Sequence, residues 1–333
     1  MAWPISLLYG LIVYCRNLLY DAQLLKSARF STPTICVGNL SVGGTGKTPM
    51  IEYLIRQLQS HYKIAVLSRG YKRKSQGFQL GDENASVEVL GDEPFQLFAK
   101  FPSIPIAVDA NRRNGITQLE ANVKPELVLL DDAFQHRKVA PTISVLLTTY
   151  SNPFTKDWYL PTGSLRDAKM ASKRADVIVV TKCPRNITET EQETLKKSLQ
   201  KGTNQPVVFS SLHYGEKLLG SKGEMFVQDL KKTPFTLVTG IANPAPLVHF
   251  LKDQHFQFSH LEFPDHHQFS TRELEKIQNS GLVITTEKDF VRLQGKVAEL
   301  YYLPVAHVFL GEGEKVFLEV LQDALTPYFP HSF

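Results

Sequence analysis

Thr34-Ile35-Cys36-Val37 runs directly into Gly38-Asn39-Leu40-Ser41-Val42-Gly43-Gly44-Thr45-Gly46-Lys47-Thr48, and Pro49–Gln59 follows with helical periodicity. An apolar strand, a glycine-rich loop and a helix starting at Lys-Thr form the context of a phosphate-binding loop. Gly43, Gly44 and Gly46 let backbone N–H groups approach phosphate oxygens with no Cβ in the way, and the helix start adds a favourable dipole. Lys47 would reach the β- and γ-phosphates of a nucleotide, and the Thr48 hydroxyl would hold Mg²⁺. Ser41, Val42, Gly43, Gly44, Thr45, Gly46, Lys47 and Thr48 are therefore the predicted nucleotide-binding residues. Ser41 departs from the usual pattern, which has a first glycine there. The bland alternative is a glycine turn that happens to contain Lys-Thr; the strand before and the helix after argue against it.

Outward from this loop, short apolar runs ending in polar residues or glycine recur at Ile64–Leu67, Ile104–Val108, Leu127–Leu130, Ile143–Leu147 and Val177–Val180. Helical patterns such as Phe95–Ala99 fall between several of them. Alternating buried strands and helices predict an α/β fold of the P-loop NTPase type: a mostly parallel sheet with helices on both faces. Sites in such sheets gather at the carboxyl ends of the strands. Val128-Leu129-Leu130-Asp131-Asp132 puts two carboxylates at such an end, where Mg²⁺ positioning needs one. Adjacent side chains point opposite ways, so one of the two would face the metal.

Two nucleotide-binding subclasses fit poorly. The ATPases with a signature lysine carry it where this chain has Val42, and guanine readers carry N-K-x-D where this chain has Thr181-Lys182-Cys183-Pro184. ATP is the better match.

Past the sheet, Glu189–Leu199 reads as a helix. Thr236–Val238, His260–Phe263 and Leu282–Thr285 read as strands of a second, smaller α/β unit, and Asn243-Pro244 as a helix start. Gly220-Ser221-Lys222-Gly223 marks an exposed turn near the boundary. The expected division is a helical segment over 1–30, a P-loop domain over 31–215 and a smaller domain over 216–333.

The 333 residues are 43% hydrophobic and 21% charged, which suits a folded protein with a sizeable core. A net charge of +4 is too small for a nucleic-acid coat, and no recognition motif is present, so no nucleic-acid partner is expected. Cys15, Cys36 and Cys183 show neither disulfide nor zinc spacing, which points to a reducing compartment.

From Met1 to Cys15 only Ser6 is clearly polar. Such a stretch is about 22 Å as a helix, short of a bilayer core, and its flanks do not suit a signal peptide. Leu7, Leu8, Leu11, Ile12, Cys15, Leu18, Leu19, Ala22 and Leu25 form a helical stripe, with Trp3 and Tyr9 at its front and Arg16, Lys26 and Arg29 nearby. Two readings stay open here: a helix lying in an anionic membrane interface, or a helix packed on the protein's own core.

Several stretches, in order, resemble the motifs of the tetraacyldisaccharide 4′-kinase family, the lipid A 4′-kinases. They are the loop Gly38–Pro49, Ser68-Arg69-Gly70-Tyr71, Gly91-Asp92-Glu93-Pro94, Asp131-Asp132-Ala133-Phe134-Gln135-His136, Leu160-Pro161-Thr162-Gly163-Ser164-Leu165-Arg166-Asp167, Gly240-Ile241-Ala242-Asn243-Pro244, Asp265-His266-His267 and Thr285-Thr286-Glu287-Lys288-Asp289. The set spans nearly the whole chain. Departures are Ala133 in place of glycine, Asp167 in place of glutamate, and Lys72 after Tyr71 in place of a small residue.

The resemblance implies transfer of the ATP γ-phosphate to the 4′-hydroxyl of a tetraacylated glucosamine disaccharide 1-phosphate. It also implies a peripheral, monotopic enzyme on the cytoplasmic face of the bacterial inner membrane, with residues 1–30 as a membrane-associated helix, the active site in a cleft closed by the smaller domain, the lipid surface and the lipid substrate as partners and no protein partner. The implied base is Asp92, oriented by His266, with His267 as the competitor; taken alone, Asp92 reads first as the cap of the helix starting at Pro94, and the resemblance reverses that order. Arg166 would steady phosphate charge. Thr48, Asp131, Asp132 and Asp167 are the candidate metal ligands, and Tyr71, Arg112, Gln135 and His136 the candidate substrate contacts. Lys72, Arg73 and Lys74 would meet the 1-phosphate or anionic lipid, or form a solvated loop. A nucleotide-driven switch that binds a protein is the rival reading.

Overall fold

The protein is described from a computed structural model covering residues 3–200 and 204–330; residues 1–2, 201–203 and 331–333 of the expected segments lie outside the described residues. In chain order the strands are β1 Thr34–Asn39, β2 Ile64–Ser68, β3 Gln79–Leu80, β4 Ile106–Val108, β5 Leu127–Asp131, β6 Ile143–Thr149, β7 Val177–Thr181, β8 Val207–Tyr214, β9 Lys217–Gly220, β10 Gly223–Phe226, β11 Phe235–Thr239, β12 Phe258–Glu262, β13 Val283–Thr285, β14 Leu300–Tyr302 and β15 Val305–Phe309. β4 begins at Ile106, later than the apolar run, because Pro105 has no N–H for the ladder.

The first sheet runs β15-β8-β7-β6-β1-β5-β2-β4-β3. Every pair from β8 to β4 is parallel, and the edge strands β15 and β3 are antiparallel. The parallel strands are apolar almost throughout because both faces are covered. One face packs Ile35, Val37 and Val145 against the helices Lys47–Leu58 and Gly313–Leu325. The other packs Cys36, Leu67 and Leu130 against Arg112–Asn122 and Glu189–Leu199. β1 is central, and its register sets Val37 beside Asp131 of β5. The glycine loop and the Asp131-Asp132 turn therefore emerge side by side.

The chain leaves this sheet after Tyr214 and enters a second one at Lys217, ordered β10-β9-β14-β13-β11-β12. The Gly220–Gly223 stretch is the two-residue β9–β10 hairpin, with Gly223 at φ 105°. Asn243 Oδ1 accepts from the Ala245 amide at the start of Ala245–Asp253, 3.1 Å away.

The expected 216–333 unit differs at its far end. β15 returns to the first sheet and pairs with β8, and the last helix buries Phe317, Leu321 and Leu325 in the first core. The edge of β8 and the uncovered apolar face beside Lys47–Leu58 accept them. This rests on pairing over 90 residues of intervening chain, which no local pattern encodes.

The N-terminal helix, Trp3–Asp21, turns its small and polar side inward: Ser6, Gly10, Val13 and Asn17 are buried. The apolar stripe faces outward, with Leu7, Leu8, Leu11, Ile12, Leu18 and Leu19 exposed. Packing on the protein's own core is thereby excluded for the stripe. Gly10 permits the close approach, since a Cβ there would lie 2.7 Å from the Tyr159 ring. No helix among the described residues is long and apolar enough to cross a membrane.

Candidate active site

The glycine loop is held from three sides. Gly43 (φ 112°) and Gly46 (φ 88°) take the left-handed conformations that make the turn, while Ser41 does not need one, so a side chain is tolerated there. The Ser41 hydroxyl donates to Asp157 Oδ2 at 2.9 Å, and the Val42 amide to Ser164 O at 2.7 Å. Thr181 at the end of β7 donates to Thr45 O at 2.8 Å, and Asn39 Nδ2 donates to Thr45 Oγ1 at 2.9 Å. Among the described residues, no acceptor takes the amides of Gly44, Gly46, Lys47 and Thr48. They are left for an anion at the start of Lys47–Leu58.

His307 is a member of this site that sequence reading missed. It comes from β15, its Nε2 bonds Gly46 O at 2.9 Å, and its Nδ1 pairs with Ser210 Oγ at 3.0 Å. Burial lowers its pKa to about 4, so the ring is neutral: Nε2–H donates to the carbonyl and Nδ1 accepts from the serine. Inward alternation on β15 was its only signal in the sequence.

Asp131 and Asp132 face different groups. Asp131 is buried; its Oδ2 accepts from Ser68 Oγ at 2.8 Å, and its Oδ1 has no partner among the described residues. Burial first, then the Glu93 and Asp132 carboxylates, raise its pKa to about 7. Asp132 sits at φ 48° and takes both terminal nitrogens of Arg166, one at 3.0 Å, with Lys47 Nζ at 3.7 Å. Burial opposes its ionisation, but these cations outweigh it and hold the acid at about 2. A divalent cation beside the loop suits Asp131, whose unpartnered buried oxygen lacks only a charge partner. Arg166 also bonds Asn39 Oδ1.

Asp167 does not join this group. Arg166 turns to Asp132, and its neighbour turns the other way, to Asn17 Nδ2 at 2.8 Å, Arg174 at 3.1 Å and Arg16 at 3.8 Å. The Ala168 amide donates to its Oδ1 as well. With both oxygens engaged, Asp167 anchors the N-terminal helix in this structure.

Arg112 is turned inward beneath the Asp131-Asp132 turn. It is 2% exposed and donates to the carbonyls of Asp109, Asp131 and Asp132, bracing the turn from below. Gln135 Nε2 donates to Asn39 O at 2.6 Å. His136 is half-buried, its Nε2 has no partner among the described residues, and burial followed by Arg112 lowers its pKa to about 4.

Asp92 and His266 meet although 174 positions separate them: Nδ1 lies 2.6 Å from Oδ2. Asp92 opens the helix Asp92–Lys100, whose cap is Gly91 at φ 89°; no backbone amide bonds the Asp92 carboxylate, so it does not act as a cap. Lys288 Nζ lies 3.1 Å from His266 Nε2. An ammonium can only donate, so Nε2 accepts, the ring proton is on Nδ1, and His266 donates to Asp92. Burial would raise the Asp92 pKa, but this hydrogen bond and the Arg292 guanidinium outweigh it and lower it. His267 is engaged elsewhere, with Glu273 at 3.0 Å and stacked on Phe263.

The Thr286–Asp289 stretch underlies this arrangement. Asp289 Oδ2 accepts from the Gly240 amide at 2.8 Å and from Thr286 Oγ1 at 2.7 Å, and its other oxygen takes Arg292. Arg292 in turn donates to His267 O at 2.8 Å, fixing the histidine loop.

Tyr71 lies 5.5 Å from the His266 ring, centroid to centroid, and lines an open cavity of about 410 Å³ with Arg69, Lys72 and Arg73. Of the basic run, Arg73 turns to backbone carbonyls and Lys74 pairs with Glu88 at 2.6 Å, which leaves Lys72 facing out over Tyr71.

The family model described as tetraacyldisaccharide-1-P 4′-kinase, LpxK, matches residues 1–326. The tetraacyldisaccharide 4′-kinase of Flavobacterium johnsoniae is 48% identical over 326 residues, covering 96% of this chain and 95% of its own. That of Parabacteroides distasonis is 43% identical over 340 residues, covering 96% and 92%. The crystal structure of LpxK from Aquifex aeolicus in complex with ATP has a TM-score of 0.78 at 30% identity and covers 96% of this chain and 98% of its own. A phosphate loop, a carboxylate turn beside it and an aspartate–histidine pair thus occur in a chain similar along its whole length to these enzymes, and the chain belongs to the tetraacyldisaccharide 4′-kinase family and is a kinase.

Proposed function

We propose that the protein transfers the γ-phosphoryl group of ATP to the 4′-hydroxyl of a tetraacylated glucosamine disaccharide 1-phosphate, at the cytoplasmic face of the inner membrane. The observation that carries the reading is the Asp92–His266 pair, a carboxylate with Oδ2 held by a histidine and, among the described residues, no hydrogen-bond donor on Oδ1. Phosphoryl transfer asks mainly for positioning and charge neutralisation. The free amides and Lys47 receive the triphosphate. Arg166, sharing Asp132 with Lys47, brings a second cation to the transferred group. Thr48 and Asp131 are the residues that would hold Mg²⁺, which when bound neutralises charge on the β- and γ-oxygens.

Asp92 accepts the proton of the sugar hydroxyl as the hydroxyl oxygen bonds the γ-phosphorus and the bond to the β-phosphate oxygen breaks, releasing ADP. The low pKa of Asp92 is compatible with this, because in a loose transition state the proton leaves late. His266 keeps the carboxylate aimed, and the Tyr71 cavity beside it offers Arg69 and Lys72 to an anionic sugar lipid. The outward apolar face of the N-terminal helix lies in the lipid interface and keeps the enzyme where its substrate is.

The test is incubation with labelled ATP and the disaccharide 1-phosphate in detergent, followed by mass analysis of the lipid. One added phosphate at the 4′ position is expected. Lys47→Ala and Asp92→Ala should each cut turnover by about 10³-fold or more in folded protein; near-normal turnover in either overturns the assigned roles.

A further inference from the structure

Glu52, Lys100 and Glu287 form a buried cluster outside the reacting groups. Lys100 Nζ lies 2.6 Å from Glu52 Oε2 and 2.6 Å from Glu287 Oε1. Gln96 Nε2 donates to Glu52 Oε1 at 3.2 Å, and Arg56 reaches Glu52 Oε2 at 3.2 Å. Glu52 is 1% exposed.

The three members belong to three helices, and each helix carries part of the chemistry. Glu52 is on Lys47–Leu58, which begins at the phosphate-loop lysine. Lys100 ends Asp92–Lys100, which begins at the proposed base. Glu287 opens Glu287–Leu293, whose next residue, Lys288, holds His266. A closed ring results: Asp92 to His266, to Lys288, to Glu287, to Lys100, and back along a rigid helix of about 13 Å to Asp92. Glu52 ties that ring to the phosphate loop.

We infer that Lys100 is a positioning residue, and that the Glu52–Lys100–Glu287 cluster sets the distance between the phosphate loop and the Asp92–His266 pair. The inference rests on the phosphotransfer reading above. Two carboxylates sharing one ammonium across helices from both sheets need that ammonium to stay together. Removing it leaves like charges facing each other in a buried place, and the helices part. Burial and then the Glu52 carboxylate push the Glu287 acid up to about 7, while Lys100 and Arg56 draw it down. Tyr302 also lies close to Glu287. Above about pH 7 Glu287 is ionised and grips Lys100; below it the grip weakens.

The experiment compares wild type with Lys100→Met, Lys100→Arg and Glu287→Gln, measuring kcat, the Kd of a non-hydrolysable ATP analogue, melting temperature and the pH profile. Lys100→Met should lower kcat about 10- to 100-fold, the scale of a small misplacement, with nucleotide Kd within about twofold. Lys100→Arg should recover part of the loss. Wild-type kcat should rise between about pH 6 and pH 8, and Glu287→Gln should flatten that rise. A Lys100→Met enzyme with wild-type kcat, equal losses of kcat and nucleotide affinity, or an unchanged pH profile in Glu287→Gln overturns the inference. If Lys100→Met does not fold, Glu287→Gln decides, through its pH profile and its His266 resonance. The His266 Nδ1–H proton resonance reads the cluster without turnover. A shift or broadening in Lys100→Met or Glu287→Gln supports the inference even if wild type fails on the proposed lipid, and an unmoved resonance overturns it.

Discussion

Replacing Leu7, Leu8, Leu11 and Ile12 together by glutamine tests whether the outward stripe of the first helix is a membrane surface. Each of the four is close to 60% exposed, and none faces the protein body, which is met by Ser6, Gly10, Val13 and Asn17. Full transfer of an aliphatic side chain from water to an apolar phase is worth ~2 kcal/mol, so three-fifths of that is slightly over ~1 kcal/mol each and ~5 kcal/mol for the set. A loss of that size is about 10³-fold in partition to lipid. Glutamine is a good helix former, so the helix itself is retained. The assay is co-sedimentation with phosphatidylethanolamine–phosphatidylglycerol vesicles, beside thermal melting of the same proteins. Vesicle binding should fall by about three decades with melting almost unchanged. Vesicle binding equal to wild type refutes the reasoning. So does a melting temperature that collapses, since it would show that the stripe packs on the protein after all.

Asp131 should make the nucleotide-free protein less stable as pH rises. Its folded pKa, about 7, lies above the unfolded value of 3.8, so the folded state binds the extra proton between these limits and stability falls across that window. Without Mg²⁺, Asp131→Asn should melt above wild type at about pH 8 and near it at about pH 4, and added Mg²⁺ should raise wild type selectively. His307→Ala should weaken ATP binding about tenfold, measured by calorimetry, because one hydrogen bond to the Gly46 carbonyl is worth ~1 kcal/mol and the loop loses its brace from β15. Asp167→Ala strands Arg174 and Asn17, so it should cost about 3 kcal/mol or more in denaturant unfolding and expose the N-terminal helix to protease. Unchanged unfolding in that variant would show that Asp167 is no anchor.

Local order was open to reading from the chain alone. The glycines, Lys47 and Thr48 follow a strand and open a helix, and loop, strand and helix are each set within a dozen residues. Asp131 was legible for the same reason, as a carboxylate closing an apolar strand. The stripe at Leu7 to Leu19 was equally visible, but periodicity states only that a face exists. Which side meets the protein depended on Gly10 fitting the Tyr159 ring and on Asn17 reaching Asp167.

Tertiary structure also decided the partners of each charge. Asp132 and Asp167 are both aspartates beside the loop in sequence reading, yet one meets Arg166 and Lys47 and the other meets Arg174 and Asn17. Arg112, a candidate ligand by position, is spent on carbonyls beneath a turn. The Asp92–His266 contact, the Lys100 cluster and the bond from His307 to the phosphate loop join residues 174, 187 and 261 positions apart. Motif and periodicity act over a few residues along the chain, whereas a carboxylate's pKa and its partner follow from what packing brings within a few ångströms, and that is settled only when both sheets have formed.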